Sequence, residues 1–173
     1  HGIFLAVTSR VRIEFEGIGK RFDERVVLRG LSGGVGPGEV LALTGPNGSG
    51  KSTLAAILCG LVRPTRGEVR HLDTEGTPVE RSEWRRHLGV VAPSMALYEE
   101  LDAMENLLFL ARVRGVPEAR ERCREFLLEV GLDPDRRTFA RGFSTGMLQR
   151  LKIAQALLHD PAVLVLDEPG SNL

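Results

Sequence analysis

Eight consecutive residues, Gly45-Pro46-Asn47-Gly48-Ser49-Gly50-Lys51-Ser52, have the types and spacing to cradle a phosphate chain. Glycines let the backbone turn sharply and let amides approach phosphate oxygens closely. A helix starting at Lys51 offers unpaired N–H groups and the positive end of its dipole to an anion. Lys51 has the reach for terminal phosphates. The Ser52 hydroxyl is a hard oxygen donor suited to Mg²⁺, and Thr53 lies beside it in the same turn. The stretch fits G-x-x-x-x-G-K-[ST], the Walker A pattern, and therefore predicts a nucleoside triphosphate ligand, ATP with Mg²⁺. A plain glycine turn is the competing reading.

A second constellation lies near the other end. Ala162-Val163-Leu164-Val165-Leu166 is an apolar strand pattern followed by Asp167 and Glu168, as in Walker B. Asp167 would hold Mg²⁺, directly or through water, and Glu168 would orient and activate the attacking water. Lys51 and Glu168 are the predicted catalytic pair. Taken alone, the acidic pair could equally end a strand in a solvated turn. A third feature is Ser144, which suits the N-cap of a helix. It offers an anion site with no phosphate of its own nearby in sequence. A simple capping serine is the alternative there.

The elements that must position these residues follow from periodicity. Val11, Ile13 and Phe15 alternate with charged residues, as in a half-exposed strand. Val26 to Val35 continues in extended style, broken by Gly33 and Gly34, and Gly36-Pro37-Gly38 marks a turn. An antiparallel sheet with one solvated face is expected there. Val40 to Leu43 reads as a strand buried on both faces, and Lys51 to Cys59 as a helix stopped by Gly60. Strands are also expected near 68–70 and 88–92. Asp102 with Glu105 makes a capping box for a helix running to Gly115. Pro117 suits the first turn of the next helix, which Gly131 closes. A helix follows Ser144 and ends near His159. The fold class predicted is α/β: a P-loop NTPase core with a mainly parallel sheet, an N-terminal antiparallel β subdomain and an inserted helical subdomain. Residues 1–10 read as a tail or tag remnant, since the chain starts at His1 without methionine. Residues 11–173 read as one domain, with core 11–93 and 149–173 and helical subdomain 94–148.

Phe143-Ser144-Thr145-Gly146-Met147, shortly before the acidic strand, resembles the signature motif of the ATP-binding cassette (ABC) family, L-S-G-G-Q in its commonest form. Ser144 and Gly146 are kept, while Phe143, Thr145 and Met147 depart from it. The S-x-G-M form is similar to a branch of drug- and haem-exporter ATPases. The resemblance runs from about residue 11 to the end. It implies an ATPase whose two cassettes pair head to tail, with Ser144 and Gly146 of one copy binding the γ-phosphate held by the other. It also implies that Phe22 stacks on adenine, although a core phenylalanine is the plainer reading of that residue. Leu97 to Asp102 with Glu105-Asn106 resembles the segment that faces the membrane subunit in transporters. Asp167-Glu168-Pro169 leads into what looks like the start of the D-loop. Two departures stand out. Pro93 occupies the place where the family carries a coupling glutamine, and the family's switch histidine and D-loop aspartate would lie beyond Leu173. The fold is therefore expected to be C-terminally incomplete. This chain alone is expected to bind Mg-ATP weakly and hydrolyse it poorly.

Bulk composition sets outer limits. Apolar residues make up 42% and charged residues 27%, the profile of a globular chain. The 23 basic and 23 acidic residues cancel, which gives no argument for nucleic acid as a partner. Arginines cluster at 81–86 and 112–124, where a solvated face is the plain reading. Cys59 and Cys123 form no C-x-x-C pair, which favours a reducing compartment. The apolar runs are too short to span a bilayer, so an integral-membrane subunit would be a separate chain. The expected location is cytoplasmic, peripheral at the inner face of the membrane through that partner. The alternatives are a soluble ABC-type ATPase acting on a non-membrane partner and a small-molecule kinase. The short interval between Lys51 and Asp167 disfavours the DNA-repair type with its long coiled coil. The signature motif disfavours the kinase.

Overall fold

The computed structural model describes residues 2–8, 10–92 and 95–167. In chain order the strands and helices are β1 (Gly2–Val7), β2 (Val11–Phe22), β3 (Arg25–Val35), β4 (Val40–Thr44), α1 (Lys51–Leu58), β5 (Arg66–Asp73), the single-turn α2 (Arg81–Trp84), β6 (Leu88–Val91), α3 (Ala103–Val113), α4 (Ala119–Glu129), α5 (Thr145–Leu157) and β7 (Val163–Asp167). Short 3₁₀ turns occupy Arg85–His87 and Ala140–Gly142.

Two sheets form. One is antiparallel, in the order β3-β2-β5. In β2 the side chains of Val11, Ile13 and Phe15 are buried, while Arg12 and Glu16 are exposed and Glu14 is half-buried. The alternation read from sequence is thus realised. The other sheet runs β4-β1-β7-β6. Here β6 and β7 are parallel, and β1 is antiparallel to both β4 and β7. Strands β4, β7 and β6 therefore share one direction, and β1 alone opposes them.

The assignment of residues 1–10 to a tail is corrected by β1. Ile3, Leu5 and Val7 are 2%, 0% and 2% exposed, and the strand pairs on both edges. An unbroken apolar run from Ile3 to Val7 loses too much by staying in water, at about 25 cal/mol per Å² of apolar surface. A second correction concerns β4, which lies at a sheet edge. Leu43 is its single buried residue and Val40 is 62% exposed, so the strand is not covered on both faces.

Apolar residues collect in two clusters. The first joins β1, β2, α1 and β7. The second joins α3, α4 and α5 through Leu107, Leu127, Leu151 and Leu158. Fully burying each such leucine contributes about 1.5–3 kcal/mol before entropy is counted. The two groups of elements meet where α5 packs on β6. Gly89 makes that contact possible, because a Cβ there would collide with the Ala156 carbonyl. Pro117 falls just before α4 rather than in its first turn: the N-cap is Glu118, held at φ +47°.

Candidate functional site

Strand β4 delivers the chain to the 45–52 loop, and α1 leaves it. Three glycines there sit at positive φ: Gly45 at +144°, Gly48 at +78° and Gly50 at +95°. Gly50 has a second reason to be glycine. A Cβ would lie 2.8 Å from Leu28 Cδ2 and 3.0 Å from Val27 Cγ1. The loop is thereby pressed against β3. Gly50 is also the N-cap of α1 and supplies no side-chain cap, so the first-turn amides keep their donor capacity. The Lys51 ammonium folds back over the loop, donating to the carbonyls of Gly45 at 2.9 Å and Pro46 at 3.0 Å. Ser49 N–H donates to the Pro46 carbonyl at 3.2 Å and tightens the turn.

A cavity of about 500 Å³ opens over this loop. Its walls are Asn47, Gly48, Gly50, Lys51, Ser52 and Thr53, with Phe22, Arg25 and Val27 from the β2–β3 hairpin and Asp167 from the end of β7. Four sequence-predicted positions thus converge: Phe22, Lys51, Ser52 and Asp167. Phe22 is 47% exposed, which rules out the core reading. Lys20 Nζ lies 4.7 Å from the ring centroid, and its ammonium also donates to the Arg63 carbonyl. Arg25 and Val27 were not anticipated. They lie two apart on β3 and so share a face, a signal that the period-2 alternation carries. A larger cavity of about 600 Å³ lies against Gly17, Lys20, Leu28 and Arg66. It holds none of the 45–52 loop, so chemistry rather than size selects the smaller one.

The donor set suits a magnesium nucleotide. Ser52 and Asp167 bring hard oxygens to the same cavity that holds the loop. Among the described residues no cluster of three or more His, Cys, Asp or Glu forms a metal cage. Mg²⁺ needs none, because it commonly takes one or two protein oxygens plus phosphates and water. Glu168, the remaining D-loop residues and Pro93 lie outside the described residues.

Ser144 and Gly146 are placed elsewhere. Ser144 caps α5, its Oγ accepting from Met147 N–H at 3.3 Å, and is exposed. Nothing lies within 4 Å of where a Gly146 Cβ would stand. Neither residue lines the cavity over the 45–52 loop.

Comparison with known proteins agrees with this geometry. The family model described as ABC transporter matches residues 28–171. The linearmycin resistance ATP-binding protein LnrL of Bacillus subtilis is 36% identical over 162 residues, covering 91% of this chain and 51% of that protein. A Nod factor export ATP-binding protein I of Burkholderia thailandensis is 39% identical over 163 residues, covering 93% and 53%. The chain thus spans about half the length of the curated relatives it matches. Among solved structures, the ATP binding subunit of an ABC transporter superposes with a TM-score of 0.69 at 26% identity, over 93% of this chain and 68% of that one. With the phosphate loop, the signature-like helix start and the acidic strand end in their places, the chain belongs to the ABC transporter family.

Proposed function

We propose that this chain is the nucleotide-binding part of an ATPase subunit that powers export through a separate membrane protein. The observation that carries the reading is the convergence of Phe22, the 45–52 loop and Asp167 on one cavity. Phe22 stacks on adenine. Backbone amides between Gly45 and Thr53 surround the phosphates, with Pro46, Asn47 and Ser49 shaping the loop. Lys51 leaves its two carbonyl partners for the β- and γ-phosphates. Ser52 and Asp167 hold Mg²⁺, which when bound neutralises charge on the phosphates. Glu168 orients the attacking water. Ser144 and Gly146 serve the γ-phosphate of a second copy, consistent with neither lining this copy's own cavity. Relatives named for Nod factor export and linearmycin resistance support the direction.

On this reading residues 94–148 form a helical subdomain that meets the membrane subunit, and the sheets with the phosphate loop form the catalytic core. A groove lined by Val90, Met95 and Leu110 together with Arg114, Gln155 and His159 is the surface offered. Tyr98 and Phe109, both about half exposed, meet edge to face at 5.0 Å. Among the described residues no helix is long and apolar enough to cross a membrane. The partner would hold the protein at the cytoplasmic face. Calorimetry with Mg-ATP on the full-length protein tests the core of this reading. Lys51→Ala should abolish binding, whereas Glu168→Gln should bind ATP and fail to hydrolyse it. Normal ATP binding by Lys51→Ala would remove the proposed role of the loop.

A further inference from the structure

The segment that presents Ser144 is neither strand nor long helix, so what fixes it has to be found in its contacts. Ala140 N–H donates to the Leu101 carbonyl at 2.9 Å, and Arg141 N–H to the Glu99 carbonyl at 3.1 Å. Arg137 Nη1 donates to Asp102 Oδ2 at 3.0 Å, an ion pair spanning 35 residues. All three bonds reach the same turn, residues 98–102, just ahead of α3. That turn is itself cross-linked by one side chain. Asn106, 0% exposed, accepts from Tyr98 N–H at 2.9 Å and donates to the carbonyls of Tyr98, Leu101 and Asp102.

We propose that Asp102 and Arg137 are positioning residues: their ion pair clamps the 98–102 turn to the 137–143 segment, so that the two set the place of Ser144 together. The proposal rests on the function proposed above and adds a route within it. In sequence the clamp joins the turn that carries the exposed Tyr98 to the segment that leads into Ser144.

The two oxygens of Asp102 do different jobs. Oδ1 accepts from Glu105 N–H at 2.8 Å, and Glu105 Oε2 accepts from Asp102 N–H at 2.9 Å, a complete capping box. A serine does that job equally well. Oδ2 is committed to Arg137. The Asp102 side chain is 5% exposed, and a nearly buried carboxylate without a cation is costly. Cap chemistry alone does not call for a charge here, so the charge serves the cross-link.

This division gives a clean test. Asp102→Ser keeps the cap and loses the clamp, and Arg137→Gln loses the clamp from the exposed side. Both are made in the full-length protein carrying Glu168→Gln, which holds ATP unhydrolysed. Three quantities are read: thermal midpoint, ATP affinity of the monomer and ATP-driven self-association, the step that uses Ser144 in trans. For Asp102→Ser the clamp predicts an unchanged midpoint, whereas Arg137→Gln strands a nearly buried carboxylate and lowers it. Both keep ATP affinity and weaken self-association by roughly two- to thirtyfold, the span of a coupling change of ordinary size. Arg137→Lys should recover part of the loss. Amide exchange at Ala140 and Arg141 should quicken in both variants. Unchanged self-association and exchange would overturn the proposal. So would a fall in the midpoint of Asp102→Ser that accounts for its loss, because the contact would then be structural only. Lys51→Ala in the same assay separates the two readings. If that variant still binds ATP, the proposed function fails. If it does not, while Asp102→Ser behaves as its parent, the clamp alone fails.

Discussion

The helix starts at Gly50 and Asp102 solve the same problem in opposite ways. Every helix begins with amides that lack partners inside the helix. At α3 those donors are claimed: Asp102 and Glu105 form a reciprocal box, and a carboxylate sits where an anion would bind. At α1 they are left over. Gly50 has no side chain, no acid stands in the first turn, and the start faces a cavity of about 500 Å³. The α5 start lies between these extremes, closed by one 3.3 Å bond from an exposed serine. A closed start stabilises its own helix, whereas an open one forgoes that stability and keeps its donors for a ligand. The α4 start also lacks a side-chain cap but carries Glu121 in its first turn, so α1 is the uncapped start without an acid, as the role proposed for it requires.

The largest effect should come from filling the open start. Gly50→Ala places a Cβ against Leu28 and Val27 at positive φ. Left-handed backbone alone costs a non-glycine residue about 1–2 kcal/mol, and the contact adds to it. ATP affinity should fall more than tenfold, and urea unfolding should shift to a lower midpoint. Wild-type ATP affinity in this variant would break the comparison.

Next come the two capped starts, where stability and function should separate. Asp102→Ala removes both cap and ion pair and should lower unfolding free energy by about 1–2 kcal/mol. Ser144→Ala loses one long, exposed bond and should cost about 0.5 kcal/mol, the low end of the capping range. Its ATP-driven self-association should nevertheless fall. Equal stability losses in the two variants would show that the caps are equivalent and that Ser144 is an ordinary N-cap.

How much of this was legible in sequence depends on the range of the interaction. The 45–52 loop, the Asp102–Glu105 box and the Ser144 cap each lie within one turn of chain, and the structure has all three. Gly33 and Gly34 did not break β3, because a neighbouring strand supplies the hydrogen bonds that local propensity cannot. The first strand was missed for a different reason. Ile3 to Val7 carries the same apolar signal as Val163 to Leu166, and its position at the start of the chain outweighed its composition. The exposure of β4 was hidden too: an apolar run says that a strand is favourable, not whether a helix covers both faces. The Arg137–Asp102 pair has no periodicity to betray it. Nor did sequence reveal that Arg25 and Val27 would share a cavity with Asp167, since only the packed sheets bring them together.

The smallest effect concerns the other end of α1, which is closed as firmly as its start is open. His71 Nε2 lies 2.7 Å from the Leu58 carbonyl, and Arg81 donates to the Gly60 carbonyl at 2.9 Å. A helix C-terminus favours a cation, so the hydrogen bond to Leu58 pulls the His71 pKa up. Burial opposes this and wins, with the nearby Arg81 charge acting in the same sense as burial, so the pKa is lowered from 6.5. The ring is stacked on the buried Trp84 with centroids 4.0 Å apart. His159 is lowered as well, burial again first, then the Arg114 charge. With both folded-state values depressed, the unfolded chain binds more protons between the folded pKa and 6.5. Stability should therefore be full above about pH 6.5, the ordinary imidazole value, and decline as pH falls below it. Denaturation curves at pH 7.5 and 5.5 measure the decline, and His71→Gln should reduce it, leaving the part due to His159. A decline that survives replacement of both histidines would place the titrating group elsewhere and leave the closed end of α1 without a role in the pH response.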